Sequence, residues 1–238
     1  MDICLCFQHP CNIMIAGPTG CGKTYFLHRV LFHKLIDPMP TRIVLVYQED
    51  QPMYAQWREW YPQLEMIHGW QENLDDMFKS SETNLLILDD QMGAAGKSEE
   101  LKTLFTMVSH HRNLTVIYLV QNIFDQGKSM RTVSLNAQYF VLFRNPRDVE
   151  QLHRLGSQMF EDKKQIISKV MNQIDDESGS YLIAMTKPRH KEYTRLYTGI
   201  FPNEELRFYT MMVYKDKKNK QPAKDKIAEC RVVNLIEI

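Results

Sequence analysis

The sequence lacks an apolar run long enough to cross a membrane. A membrane-spanning helix needs about 20 consecutive, mostly apolar residues, and no segment of the 238-residue chain approaches that length. Its first residues also lack the basic region followed by an apolar segment that marks a secretory signal. The cysteines are few and odd in number, five in all, which favours reduced thiols over a disulfide framework. We therefore expect a soluble, intracellular protein without a membrane partner.

Net charge is also missing, because 29 lysines and arginines balance 29 aspartates and glutamates. A neutral molecule has no overall field that attracts nucleic acid, so any contact with DNA must be local. One basic segment, residues 215–226, holds six lysines and two aspartates. This composition fits either a solvated linker or a surface that binds DNA or a partner.

Residues 17–24, Gly-Pro-Thr-Gly-Cys-Gly-Lys-Thr, match the phosphate-loop pattern G-x-x-x-x-G-K-[ST] at every position. An apolar run at residues 12–16 precedes the loop and a helix-competent run at residues 25–35 follows it. The glycines let backbone N–H groups face the phosphates, Lys23 reaches the β and γ phosphates, and Thr24 offers a hydroxyl to Mg²⁺. The predicted nucleotide-binding residues are Gly17, Pro18, Thr19, Gly20, Cys21, Gly22, Lys23 and Thr24.

A second motif, Asn-Leu-Leu-Ile-Leu-Asp-Asp at residues 84–90, is a Walker B pattern. A fully apolar strand belongs inside a parallel sheet covered by helices, and ligands gather at the carboxyl ends of such strands. Asp89 is therefore the predicted Mg²⁺ ligand, and Asp90 is the predicted catalytic residue that polarises the attacking water. Because an aspartate reaches one methylene less far than a glutamate, Glu49 is the alternative base.

A polar amide pair, Gln121 and Asn122, ends a third apolar strand at residues 114–120. We predict that Gln121 is a catalytic sensor that faces the γ-phosphate and orients water; a strand cap is the alternative. An additional strand at residues 42–47 separates the two Walker motifs. Together these features predict an α/β P-loop NTPase of the additional-strand, RecA-like class, with a mostly parallel central sheet flanked by helices.

Three arginines downstream of the sensor are candidates for an arginine finger, a cation that a neighbouring subunit inserts to neutralise transition-state charge. They are Arg131, Arg144 and Arg147. We favour Arg131 as the catalytic arginine, and surface ion pairing is the alternative for each.

The last third of the sequence predicts additions to this core. Residues 148–175 have a helical pattern, and residues 179–186 and 193–198 predict a β-hairpin. We place the ATPase domain at residues 1–202 and a C-terminal extension with the lysine-rich segment at residues 203–238.

These motifs together resemble the viral genome-packaging ATPases of the FtsK/HerA superfamily, in the poxvirus-like branch also found in Maverick/Polinton elements. The resemblance covers about residues 7–202. It rests on His9-Pro10, both Walker motifs, residues 120–122, residues 131–136 and residues 141–148.

The resemblance implies a ring-forming ATPase that uses ATP and Mg²⁺ to pump double-stranded DNA into a preformed capsid. Its partners would be capsid or portal proteins, and its location the site of virus assembly in the host cell. Rings of the family are usually hexameric, and a pentamer is the alternative. Such a ring needs DNA contacts only on pore-facing loops. We predict these contacts at Lys97 and Lys128, with ordinary surface lysines as the alternative.

Other functions stay open at this point. A DNA-translocating or helicase-like ATPase of a mobile element would share the chemistry without the capsid. A small-molecule kinase would share the phosphate loop, and a nucleotide-controlled scaffold would bind the nucleotide with little hydrolysis.

Overall fold

The computed structural model describes residues 5–89, 99–108, 112–124, 128–160, 163–186, 195–212 and 226–231. The chain divides into two compact units, Met1–Phe140 and Val141–Ile238. In the described part of the chain, every helix is too short or too polar to cross a bilayer.

The first unit alternates strands with helices, which is the pattern of a parallel α/β sheet. Its strands are β1 (Phe7–Gln8), β2 (Asn12–Ala16), β3 (Ile36–Asp37), β4 (Arg42–Tyr47), β5 (Leu64–His68), β6 (Asn84–Asp89) and β7 (Leu114–Val120). Its helices are α1 (Lys23–Phe32), α2 (Pro52–Trp60), α3 (Glu99–Thr103), which continues as a π-helical turn (Leu104–Val108), and α4 (Lys128–Asn136). A 3-10 turn spans Leu74–Met77.

Five strands of this unit pair in parallel in the order β5-β4-β6-β7-β2. Every residue of β6 and β7 is buried, as expected for strands covered on both faces. Strand β7 thus lies between β2, which leads into the phosphate loop, and β6, which ends in Asp89. This order confirms the predicted additional-strand fold class and places the carboxyl ends of all five strands at one edge.

Polar side chains form hydrogen bonds at the amino-terminal ends of the parallel strands, opposite the carboxyl edge. His9 contacts the Thr115 hydroxyl through Nδ1 at 2.7 Å and the Asn113 side-chain oxygen through Nε2 at 3.1 Å. Burial lowers the pKa of His9 below its usual 6.5. Asn84 donates from its amide to the carbonyls of Lys79 and Arg112 at 2.8 Å and 2.9 Å. His9, part of the motif that carried the resemblance, therefore lies far from the carboxyl edge and stabilises the start of β7.

The second unit contains the antiparallel addition. Strand β8 (Tyr139–Phe143) crosses the boundary between the units, and β9 (Tyr181–Met185), β10 (Leu196–Thr198), β11 (Arg207–Met212) and β12 (Lys226–Arg231) follow. Its helices are α5 (Glu150–Met159) and α6 (Ile166–Met171), with a 3-10 turn at Asp176–Ser178. Strands β9 and β10 pair antiparallel, so the predicted hairpin is confirmed.

The antiparallel strands continue past residue 202, where the sequence predicted the end of the ATPase domain. Strand β11 pairs antiparallel with β10, and β12 with β11. Arg207, buried at the start of β11, donates to the Asp175 carboxylate at 2.8 Å and so ties this strand to the rest of its unit. Residues 213–225, which include all of the lysine-rich segment except Lys226, lie outside the described residues.

Candidate active site at the carboxyl edge of the sheet

The phosphate loop joins β2 to α1, as predicted. Gly20 and Gly22 have φ angles of +76° and +103°, which only glycine adopts without strain. The loop is closed by a hydrogen bond from the Cys21 N–H to the Pro18 carbonyl at 3.3 Å. Gly22 directly precedes α1, so the N–H groups of the first helical turn, which have no acceptor within the helix itself, face the loop. Loop amides and a helix amino terminus together form a site that attracts phosphate.

Lys23 lies at the first position of α1 with its ammonium turned back over the loop. Its Nζ donates to the carbonyls of Gly17 at 2.7 Å and Pro18 at 3.0 Å. This contact keeps a positive charge at the helix amino terminus. Burial raises the pKa of the neighbouring Cys21 thiol, and the Lys23 charge opposes that rise. Cys21 therefore stays uncharged near neutral pH and adds no negative charge to the phosphate site.

Asp89 ends β6 and is 5% exposed. It pairs with Tyr47 on β4 and with Leu119 on β7. Its Oδ2 accepts hydrogen bonds from Gln51 Nε2 at 2.8 Å and from the Tyr54 hydroxyl. Carboxylate and hydroxyl oxygens are the ligands that Mg²⁺ prefers, so Asp89 and the half-buried Thr24 have the right chemistry to hold this ion.

The end of β7 lies directly beside the phosphate loop. The Gly17 N–H donates to the Val120 carbonyl at 3.2 Å, and Gln121, which is exposed, follows Val120. Asn122 has a different role, since its side-chain oxygen accepts the Phe124 N–H at 2.8 Å and closes a turn. The structure thus brings Gln121 next to the loop, and its sensor role stays a prediction.

The remaining predicted residues have different outcomes. Glu49 is exposed after β4. Asp90 and Lys97 lie outside the described residues, and only the backbone of Lys128, the first residue of α4, is described.

The three arginines differ in what they contact. Arg131 is exposed on α4. Arg144 donates from Nη2 to the carbonyls of Met171 at 2.9 Å and Ile174 at 3.2 Å, so its guanidinium anchors the end of α6 in the second unit. Arg147 is exposed in a turn, where its N–H donates to the Asn145 side chain at 3.2 Å.

Sequence reasoning missed Gln51 and Tyr54. Neither residue belongs to a phosphate-loop motif or to a Walker B motif. The only available signal was their position shortly after β4, whose carboxyl end lies at the edge that holds Asp89.

No protein-family model matches the chain, and no curated protein sequence matches it. Among solved structures, it resembles the genome packaging NTPase B204 from Sulfolobus turreted icosahedral virus 2 in complex with ATP-gammaS. That match has a TM-score of 0.51 at 14% identity and covers 74% of this chain and 93% of that one. The AMPPCP complex of the same NTPase matches with a TM-score of 0.50 at 15% identity, over 74% and 93% of the two chains. At these identities the likeness shows the fold: a mostly parallel α/β sheet flanked by helices, as in P-loop ATPases.

Proposed function

We propose that this protein is a Mg²⁺-dependent ATPase that moves double-stranded DNA and packages it into a preformed viral capsid. One observation carries the ATPase part of the proposal. The phosphate loop with Lys23 and the buried carboxylate of Asp89 lie at the carboxyl edge of one parallel sheet, on either side of β7, the strand that Gln121 follows. The fold shared with the genome packaging NTPase B204 supports the same proposal.

Different residues of the chain carry out different parts of ATP hydrolysis. The loop amides and Lys23 bind the phosphates and neutralise the charge that develops on the leaving ADP. Thr24 and Asp89 would hold Mg²⁺, and the ion would neutralise phosphate charge that develops during hydrolysis. Asp90 takes the proton of the attacking water, with Gln121 orienting it.

The second half of the site comes, in this proposal, from a neighbouring copy in a ring. Arg131, on α4, is the favoured arginine finger, whereas the guanidinium of the likewise exposed Arg144 is engaged by two carbonyls of its own chain. We favour a hexamer over a pentamer. In sequence, Lys97 follows β6 and the two aspartates, and Lys128 follows β7 and Gln121. We propose that the contacts of both lysines with DNA change as the nucleotide is hydrolysed.

The proposal is tested by the steady-state rate of phosphate release from ATP, with and without double-stranded DNA. We expect hydrolysis that requires Mg²⁺ and accelerates when duplex DNA is added. Phosphate transfer to a metabolite by a monomer would instead identify a kinase. Hydrolysis that duplex DNA leaves unchanged, with no self-association at any concentration, would contradict the motor.

A further inference from the structure

We infer that Gln51 and Tyr54 are positioning residues that orient the Asp89 carboxylate for Mg²⁺ and thereby set how strongly Mg²⁺ enhances nucleotide binding. Both belong to the amino terminus of α2, Gln51 as the residue before the helix and Tyr54 within its first turn. This inference rests on the proposed function, because it concerns the same site.

Two donors converge on a single oxygen of Asp89. The Gln51 Nε2 lies 2.8 Å from Oδ2, and the Tyr54 hydroxyl donates to the same atom. Two donors on one oxygen restrain rotation of the carboxylate about its Cβ–Cγ bond more strongly than one donor does, because each hydrogen bond is directional. The direction of the second carboxylate oxygen is thereby fixed as well.

The donors themselves are held by their surroundings. The Tyr54 side chain is fully buried, and its ring lies 5.3 Å from the ring of Tyr47 and 5.5 Å from that of Trp57, between centroids. The Tyr54 N–H donates to the Gln51 carbonyl at 2.9 Å. The two donors therefore belong to one turn and keep a fixed spacing.

Packing alone does not account for a tyrosine at this position. A phenylalanine would bury the same ring, whereas a buried hydroxyl requires a hydrogen-bond partner. Both donors are neutral, so they orient the carboxylate without cancelling its charge as a lysine or arginine would. Partners that orient a metal-binding side chain typically change metal affinity by about 10-fold or more when they are removed.

The test measures the affinity for ATPγS by calorimetry, in EDTA and in Mg²⁺, with the full chain. Tyr54→Phe removes only the hydroxyl, and Gln51→Met removes an amide that makes no helix-capping hydrogen bond. Tyr47→Phe is the matched control, because Tyr47 packs in the same aromatic cluster while its hydroxyl accepts from Arg58 Nη2 at 3.5 Å.

We expect Mg²⁺ to strengthen binding in the wild type and in Tyr47→Phe, and this gain to shrink by about 10-fold in Tyr54→Phe and Gln51→Met. Affinity in EDTA should be the same in all four proteins. If both variants keep the full gain, or lose affinity equally in EDTA and in Mg²⁺, the inference is wrong and the proposed function stands. If the wild type itself binds no ATPγS, both fail.

Discussion

At the scale of single residues, the protein contains cations that carbonyl oxygens hold in two different settings. The Lys23 ammonium is held by Gly17 and Pro18 within the phosphate loop. The Arg144 guanidinium is held by Met171 and Ile174 at the end of α6. A cation within a phosphate loop is available to a ligand, whereas a cation that closes a helix end supports the fold. Substitutions at the two sites should therefore have different effects.

Lys23→Ala should lower ATP turnover by about 100-fold or more, because it removes the charge that stabilises the phosphates in the transition state. Alanine is a good helix former, so α1 and the fold should persist. The measurement is steady-state phosphate release, with the exposed Lys169→Ala as a control of equal charge change. Wild-type turnover in Lys23→Ala would exclude the phosphate loop as the hydrolytic site.

Arg131→Ala should abolish turnover while leaving nucleotide affinity and stability unchanged. Arg144→Ala should lower the free energy of unfolding by about 1 kcal/mol, since it loses two hydrogen bonds at a solvent-exposed position. Urea unfolding and phosphate release, measured on both variants, separate the two roles. Full turnover in Arg131→Ala with lost turnover in Arg144→Ala would move the arginine finger to Arg144.

At the scale of elements, close backbone packing joins α5 to the segment before α6. A Cβ atom added at Gly156 would lie 2.3 Å from the carbonyl oxygen of Lys164, so the backbone must shift to admit it. Gly156→Ala should therefore lower the free energy of unfolding by about 1–3 kcal/mol. Ser157→Ala, at the next and exposed position of the same helix, is the control. Equal stability of the two variants in urea would show that α5 and the following segment are not packed this closely.

The contact of His9 with β7 should make stability depend on pH. Burial lowers the pKa of His9 in the folded protein below 6.5, its value when unfolded. The unfolded chain then binds the proton more readily, so this stability is present above pH 6.5 and is lost as pH falls through the folded pKa. Burial and His33 lower the pKa of His28 in the same direction.

The measurement for His9 is the urea midpoint at pH 7.5 and at pH 5.5. Between pH 7.5 and pH 5.5, the urea midpoint of His9→Gln should fall less than that of the wild type. The remaining fall would come from His28 and other titrating groups. An identical loss in both proteins would show that His9 does not contribute to the pH dependence.

The elements predicted correctly from the sequence are those whose own residues dictate their structure. Strands β6 and β7 consist of apolar runs that only a covered parallel sheet accommodates. The π-helical turn Leu104–Val108 was not predicted, because the same residues fit an ordinary helix. The contact of Tyr54 with Asp89 was not predicted either, since it depends on how β4 and β6 align and on where α2 begins.

At the scale of the whole molecule, the absence of net charge constrains how DNA is held. If a few loop lysines contact the phosphates of DNA, the affinity for DNA must fall steeply as the salt concentration rises, because each contact releases counterions. We expect DNA-stimulated turnover to fall much more between 50 and 200 mM salt, about the range over which such contacts weaken, than turnover without DNA. Parallel decline of both rates would show that DNA acts by another route.

Electron microscopy of the protein with ATPγS and duplex DNA, with particles counted by the number of subunits they contain, tests most directly whether the protein forms a ring around DNA. We expect closed rings of one size that encircle the duplex, with six subunits in the favoured form and five in the alternative. Single copies bound along the DNA, or monomers without DNA under all conditions, would contradict this expectation.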